Sequence, residues 1–253
     1  MRIRIAAIAT MMAGMLWAPS ASAAELKVLT AGAMKSVVLA LVPQFESQGH
    51  KVILDNGTAG ALLKRIESGE AFDVAVVTPG VIDTLIEKGK IAAGTRANLA
   101  RVGVGVVVKE SAPKPDIGNV EAFKQALLNA KTVAYIDPES GGSSGIYIAS
   151  LLNKLGIADA IKPKAKLKRG GHVADLIASG EAELGLHQIS EILPVKGTAL
   201  VGLLPAELQN YTTYAVGLSA TARDTNAAKA FIDILRGPAG TAVLREKGME
   251  RPS

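Results

Sequence analysis

Cysteine is absent from the 253 residues, which excludes a disulfide framework, a thiolate metal site and a thiol nucleophile. It also removes the residue that would carry a lipid anchor. Aromatic residues are scarce: four Phe, four Tyr and one Trp. Charges of both signs are scattered along the chain, so the clustered cations and stacking rings of a nucleic-acid binder are missing. The three histidines, His50, His172 and His187, share no ligand spacing, and neither a metal nor a cofactor is expected. Beyond residue 23 no apolar run approaches the roughly 20 residues that a membrane-spanning helix needs.

The amino-terminus carries a different signal. Arg2 and Arg4 precede an apolar stretch from Ile5 to about Trp17, followed by Pro19-Ser-Ala-Ser-Ala23 with small residues at the −3 and −1 positions. This pattern predicts a secretory signal peptide over residues 1–23, cleaved after Ala23, and hence a periplasmic location. Removing 23 of the 253 residues leaves 230, enough for two modest domains held by hydrophobic cores alone. The mature chain then has 26 basic and 23 acidic residues. Its densest basic run, Lys162 to Arg169, alternates as the exposed face of an edge strand would.

Apolar runs of strand length alternate with amphipathic helical stretches along the chain. Leu26–Leu29 leads to a helix from about Met34, Lys51–Leu54 to one from Gly60, and Phe72–Val77 to one from Val81. Thr132–Ile136 leads to Ser144–Leu155, and Leu184–Leu186 to Ile189–Leu193. Such alternation predicts βαβ units, parallel sheets covered on both faces and an α/β fold.

The segments between strands and helices are rich in Gly, Ala, Ser and Thr. They are Thr30-Ala-Gly-Ala33 running into Met34, Asp55-Asn-Gly-Thr-Ala-Gly60, Thr78-Pro-Gly80, Asp137-Pro-Glu-Ser-Gly-Gly-Ser-Ser-Gly145, Arg169-Gly-Gly-His172 and His187-Gln188. In an open α/β sheet these junctions share the carboxyl edge of the strands, where ligands bind. Each presents a helix N-terminus with free N–H groups and the positive end of the helix dipole. Any one of them could be simple helix capping; their repetition points to an anion site. The candidate contacts are Ala31, Gly32, Ala33, Met34, Thr58, Ala59, Gly60, Thr78, Ser140, Ser143, Ser144, Gly145, Arg169, Gly170, Gly171, His172, His187 and Gln188.

At these junctions the chain resembles the molybdate-type periplasmic binding proteins of ABC transporters. The resemblance runs through Val28–Met34, Leu63–Gly69, Phe72–Val76, Asp137-Pro-Glu139, Gly145-Ile-Tyr147, Lys154-Leu-Gly156, Leu184-Gly-Leu186 and Lys229–Pro238. It implies a type II periplasmic binding protein: two α/β lobes joined by two crossing strands, with a ligand cleft between them. It also implies a monomer that binds a small anionic solute, delivers it to a membrane permease, and catalyses nothing. Lobe one is expected at 24–105 and 214–253 and lobe two at 106–213, with crossings near Gly103–Val107 and Tyr211–Gly217. The chain departs from the family's donor set. Ala33 stands where a serine is usual, Ala59 or Gly60 replaces a second serine, and Gln188 replaces a tyrosine. These exchanges remove hydroxyls and suggest an organic di- or tricarboxylate ahead of a molybdate-like oxyanion, since Gln188 both donates and accepts.

One enzymatic alternative arises from Gly141-Gly-Ser-Ser-Gly145, which fits the nucleophile turn G-x-S-x-G. Ser143 would attack, with His172 or His187 as base and Asp159 or Asp175 orienting it. Tyr211 and Tyr214 lie near an expected crossing, where either hydroxyl could face a ligand.

Overall fold

A computed structural model describes residues 23–252; the signal-peptide stretch lies outside the described residues except for Ala23. Nine strands form one continuous, mixed sheet in the order β2-β1-β3-β9-β4-β7-β5-β6, with β8 also paired to β4. The strands are β1 (Glu25–Ala31), β2 (Lys51–Gly57), β3 (Val74–Val77), β4 (Ala97–Lys109), β5 (Val133–Ile136), β6 (Ala165–Lys168), β7 (Leu184–Gln188), β8 (Thr198–Leu203) and β9 (Tyr211–Leu218).

Two parallel sets sit at the ends of this sheet. β1 pairs in parallel with β2 and β3, and β5 with β6 and β7. Between them β4, β8 and β9 run antiparallel, so the parallel expectation holds within each half but not for the strands that join them. The hinge is in β4. Its Gly103 pairs with Tyr211 of β9, and its next residue, Val104, pairs with Gln188 of β7. All of β9 pairs with β3 and with the first part of β4, and the chain reaches it from β8 over 204–210. β8 was not foreseen, and the basic run does end on an edge strand, β6.

Period-2 alternation builds both halves. In β3, Val74 and Val76 enter one core with Leu26, Val28, Met34 and Phe231, whereas Ala75 and Val77 enter the opposite core with Leu62, Ile82 and Leu85. In β5, Val133 and Tyr135 face Phe123, Ile148 and Leu151, and Ala134 and Ile136 face Val173 and Ile177. Helices α1 (Gly32–Glu46), α2 (Ala59–Glu67) and α3 (Pro79–Glu87) cover the first half, together with α9 (Thr225–Arg236) and α10 (Pro238–Glu246). Helices α4 (Val120–Asn129), α5 (Ser143–Lys154), α6 (Ala158–Ile161), α7 (Ala174–Ala178) and α8 (Ile189–Ile192) cover the second. Burial on both faces explains why β3, β5 and β7 are buried at every position. No described helix is long and apolar enough to cross a membrane.

Candidate functional site

The carboxyl ends of β1, β2, β5 and β7 converge on a cleft between the two halves. β1 runs into α1 through Ala31, which offers no side-chain cap, and α5 begins after Gly142, equally uncapped. The first N–H groups of two helices, of 15 and 12 residues, are therefore left free of side-chain caps. At α2 the Thr58 hydroxyl accepts from the Ala61 N–H at 3.2 Å, a conventional N-cap. The tight α5 turn depends on Gly145: a Cβ there would collide with the Ile136 carbonyl at the end of β5.

The halves touch across the cleft. The Gly60 N–H donates to the Gly141 carbonyl at 3.1 Å, and the Thr58 hydroxyl donates to the Ser140 carbonyl. A Cβ on Gly60 would lie 2.9 Å from the Gly141 Cα. Inside this latch the void is narrow, about 390 Å³ including its open mouth, of which about 30 Å³ is room for the centres of water molecules. Its floor is a closed network: the Tyr214 hydroxyl donates to Gln188 Oε1 at 2.9 Å, Gln188 Nε2 donates to Ser143 Oγ at 3.2 Å, and the two hydroxyls lie 3.3 Å apart.

The wall holds no Lys or Arg. Its ionisable groups are His187, Glu191 and Tyr214, exposed by 1%, 6% and 2%. His187 Nε2 and Glu191 Oε2 are 3.2 Å apart, and His187 Nδ1 has no partner. Glu191 Oε1 crosses to the start of α1, where a Cβ on Gly32 would come within 2.5 Å of it. Burial pushes Glu191 up to about 8. Burial, with smaller effects from His172 and Lys168, pulls His187 down to about 3. Burial likewise raises Tyr214. Near neutral pH the carboxyl and the imidazole are therefore both uncharged, close enough to share a proton.

Of the residues singled out from the sequence, Ala31, Gly32, Ala33, Thr58, Ala59, Ser143, Ser144, Gly170, Gly171, His187 and Gln188 line the cleft. Gly60 and Ser140 form the latch beside it. Met34 is buried in the first core, and Gly145 packs on β5. Thr78, His172 and Arg169 do not line the void; the Arg169 side chain is 76% exposed and reaches only towards Asp137, at 3.9 Å. Asn56, Gly57, Ile136, Gly142, Glu191 and Tyr214 complete the wall. The hydrolase alternative lacks its base, because the Ser143 hydroxyl is held by Gln188 and Tyr214 and not by a histidine. Among the described residues no acidic or histidine cluster could hold a metal. A roomier cavity, about 1010 Å³ including its open mouth against about 390 Å³ for the cleft, lies at the opposite edge of the second half, between Val108, Pro113, Ala126 and Leu184, away from every one of these junctions.

A cleft ringed by helix N-termini between two sheet halves is the architecture of a solute receptor, and the comparisons agree. Residues 26–250 match the model of the bacterial extracellular solute-binding proteins. The chain belongs to this family. It is a molybdate-binding-protein-like, extracytoplasmic solute-binding protein of the ABC-transporter type. It is 32% identical to the molybdate-binding protein ModA of Azotobacter vinelandii, covering 93% of each chain. It is 29% identical to a protein described as an aconitate isomerase from a Pseudomonas species, covering 89% of this chain and 87% of that one. The solved periplasmic molybdate-binding protein of A. vinelandii superposes with a TM-score of 0.77 at 22% identity, covering 90% of this chain and all of the other, which supports the two-lobed fold.

Proposed function

We propose that this solute-binding protein works in the periplasm, after cleavage at Ala23, as a monomer that captures a small organic di- or tricarboxylate and presents it to an ABC-transporter permease. The sheet halves act as the lobes, hinged at Gly103/Val104 and at 204–210. Free N–H groups at the starts of α1 and α5 bind the carboxylates, and Ser143, Ser144, Gln188 and Tyr214 serve the remaining polar atoms.

One observation carries the choice of ligand: a buried carboxyl, Glu191, stands in the wall of the anion cleft. A bare tetrahedral dianion brings acceptors only. At the mouth of α1 it would find a single carboxyl donor, Glu191, and no serine at Ala33 or Ala59 to surround it. An organic acid with separated carboxylates can place them on the helix N-termini and turn carbon towards Glu191. The aconitate isomerase relative makes aconitate the first compound to try, and citrate, malate and succinate follow. Molybdate and tungstate are the competing ligands, on the strength of the ModA relatives.

A thermal-shift screen of the refolded, ligand-stripped protein tests this reading. A ligand at 100 times its Kd adds about 2.7 kcal/mol of stability. At least one polycarboxylate is expected to raise Tm by several degrees. Stabilisation by molybdate or tungstate and by no carboxylate refutes the organic-acid assignment and leaves an oxyanion receptor.

A further inference from the structure

A further cavity lies at the hinge, on the side of α8 turned away from the cleft. It measures about 730 Å³ including its open mouth, a size that suits a molecule of one or two rings. One wall belongs to the first half: Arg101 and Gly103 of β4, Tyr211 at the start of β9, Arg245 in the last turn of α10, and Met249 beyond it. The facing wall belongs to the second half and is apolar, made by Ile189 of α8 and Leu203 at the end of β8. Leu203 leans over the hinge itself, since a Cβ on Gly103 would come within 2.8 Å of its Cδ2. Only α8 separates this cavity from the cleft. Ile189 and Glu191 stand two residues apart and so point to nearly opposite sides of the helix; Glu191 lines the cleft and Ile189 the hinge cavity. Ile189 also packs against the first core, whereas Ile192 sits in a core of the second half.

The charges around this cavity do not balance. Glu250, which also lines it, is bound to Arg101 at 2.7 Å, and the Arg101 guanidinium lies 5.1 Å from the centre of the Tyr211 ring. Arg245 is exposed and, among the described residues, forms no ion pair. Two guanidinium groups thus face one carboxylate, and the surplus is positive. Beside them Tyr211 and Leu203 leave ring and aliphatic surface open to water, an area that gains from being covered. A free cation next to an exposed ring and an aliphatic wall matches an anion with a flat apolar body.

We infer that the hinge cavity is a regulatory site for a small aryl carboxylate, which Arg245 holds by its charge and which braces the two halves in their closed arrangement. The ring lies against Tyr211, Leu203 and Ile189, and the carboxylate meets Arg245. Such a ligand touches both walls only while the halves stand as close as they do here. It therefore binds the closed form more tightly and shifts the population towards it. By reciprocity it also tightens the hold of the cleft on its own anion, whichever anion that is. The helix between the two sites supplies the contact, because a ligand that fixes Ile189 fixes Glu191 on the opposite side of the same turn. This site is separate from the cleft and does not depend on the choice of cleft ligand.

The test uses the full mature protein with 2-naphthoate as the probe. Titration calorimetry of wild type is expected to show saturable binding. Arg245→Met, which removes the charge and keeps most of the apolar length of the side chain, is expected to weaken it by about 10-fold. Small-angle scattering reads closure with no anion in the cleft, and the radius of gyration is expected to fall when 2-naphthoate saturates wild type. Trans-aconitate and molybdate are then titrated separately, with and without saturating 2-naphthoate. The one that the cleft takes is expected to bind at least about 5-fold more tightly in its presence. No binding of 2-naphthoate by wild type overturns the site, and a dimer on sedimentation would then assign exposed Tyr211 and Leu203 to a second copy of the chain. Equal binding in Arg245→Met overturns the role of the charge and with it the ligand class. Weaker binding of the cleft anion places 2-naphthoate in the cleft itself and overturns the inference. Binding with unchanged scattering and unchanged anion affinity overturns the bracing of the halves.

Discussion

At the residue scale, the buried pair imposes a pH signature on stability. Glu191 holds its proton more tightly when folded, so its stabilising share is complete below the ordinary value near 4.5 and is lost as pH rises to about 8. His187 does the reverse: its share is complete above 6.5 and is lost as pH falls towards about 3. Between 4.5 and 6.5 the two slopes oppose each other, and between 6.5 and 8 only the loss from Glu191 remains. Urea unfolding of the ligand-free protein is expected to show stability falling over that last window as the pH rises. Glu191→Gln should flatten it. An identical fall in the variant would mean that another group titrates there. A second residue-scale prediction concerns Tyr214→Phe, which leaves buried Gln188 Oε1 without its donor. The expected cost is about 1–3 kcal/mol in urea unfolding, and no measurable cost would show that the network is incidental. Glu191 did not stand out in the chain, and Tyr214 did so only by its place near an expected crossing. Glu191 follows a strand in a four-residue helix, where a glutamate usually faces solvent. Tyr214 reaches the cleft only because β9 pairs with β4 from a distance of about a hundred residues, which no local pattern records.

At the element scale, the strand-to-helix junctions were legible because Gly, Ser and Thr mark the places where backbone must come close. What remained hidden was the direction of individual side chains. Arg169 lies at the correct sheet edge, yet its guanidinium turns outward to Asp137. Gly60 tests the closeness of the junctions. In the first turn of α2, alanine is a better helix former than glycine by up to about 1 kcal/mol, so Gly60→Ala should not destabilise the lobe. The added Cβ would stand 2.9 Å from the Gly141 Cα on the opposite half, where only a shift of backbone relieves it. Tm of the ligand-free variant is therefore expected to be equal to or above that of wild type, while Kd for the ligand found in the screen weakens by about 10-fold or more. Unchanged affinity would place the closed contact outside the binding cycle.

At the scale of the whole molecule, two helix-covered sheet halves share one central strand, β4, with partners that change between Gly103 and Val104. Two passages between halves allow rotation about a short hinge while each core stays packed. The 30 Å³ of water room in the closed cleft is too little for a ligand larger than one or two waters, so entry requires the halves to part. Ligand binding then shifts the population towards a closed form. The most direct measurement of capture by closure is small-angle scattering from the ligand-stripped protein, titrated to saturation with the anion identified by thermal shift. The radius of gyration is predicted to fall on binding in wild type and to fall less in Gly60→Ala at equal saturation. Saturated binding with superimposable scattering curves before and after would contradict capture between the lobes.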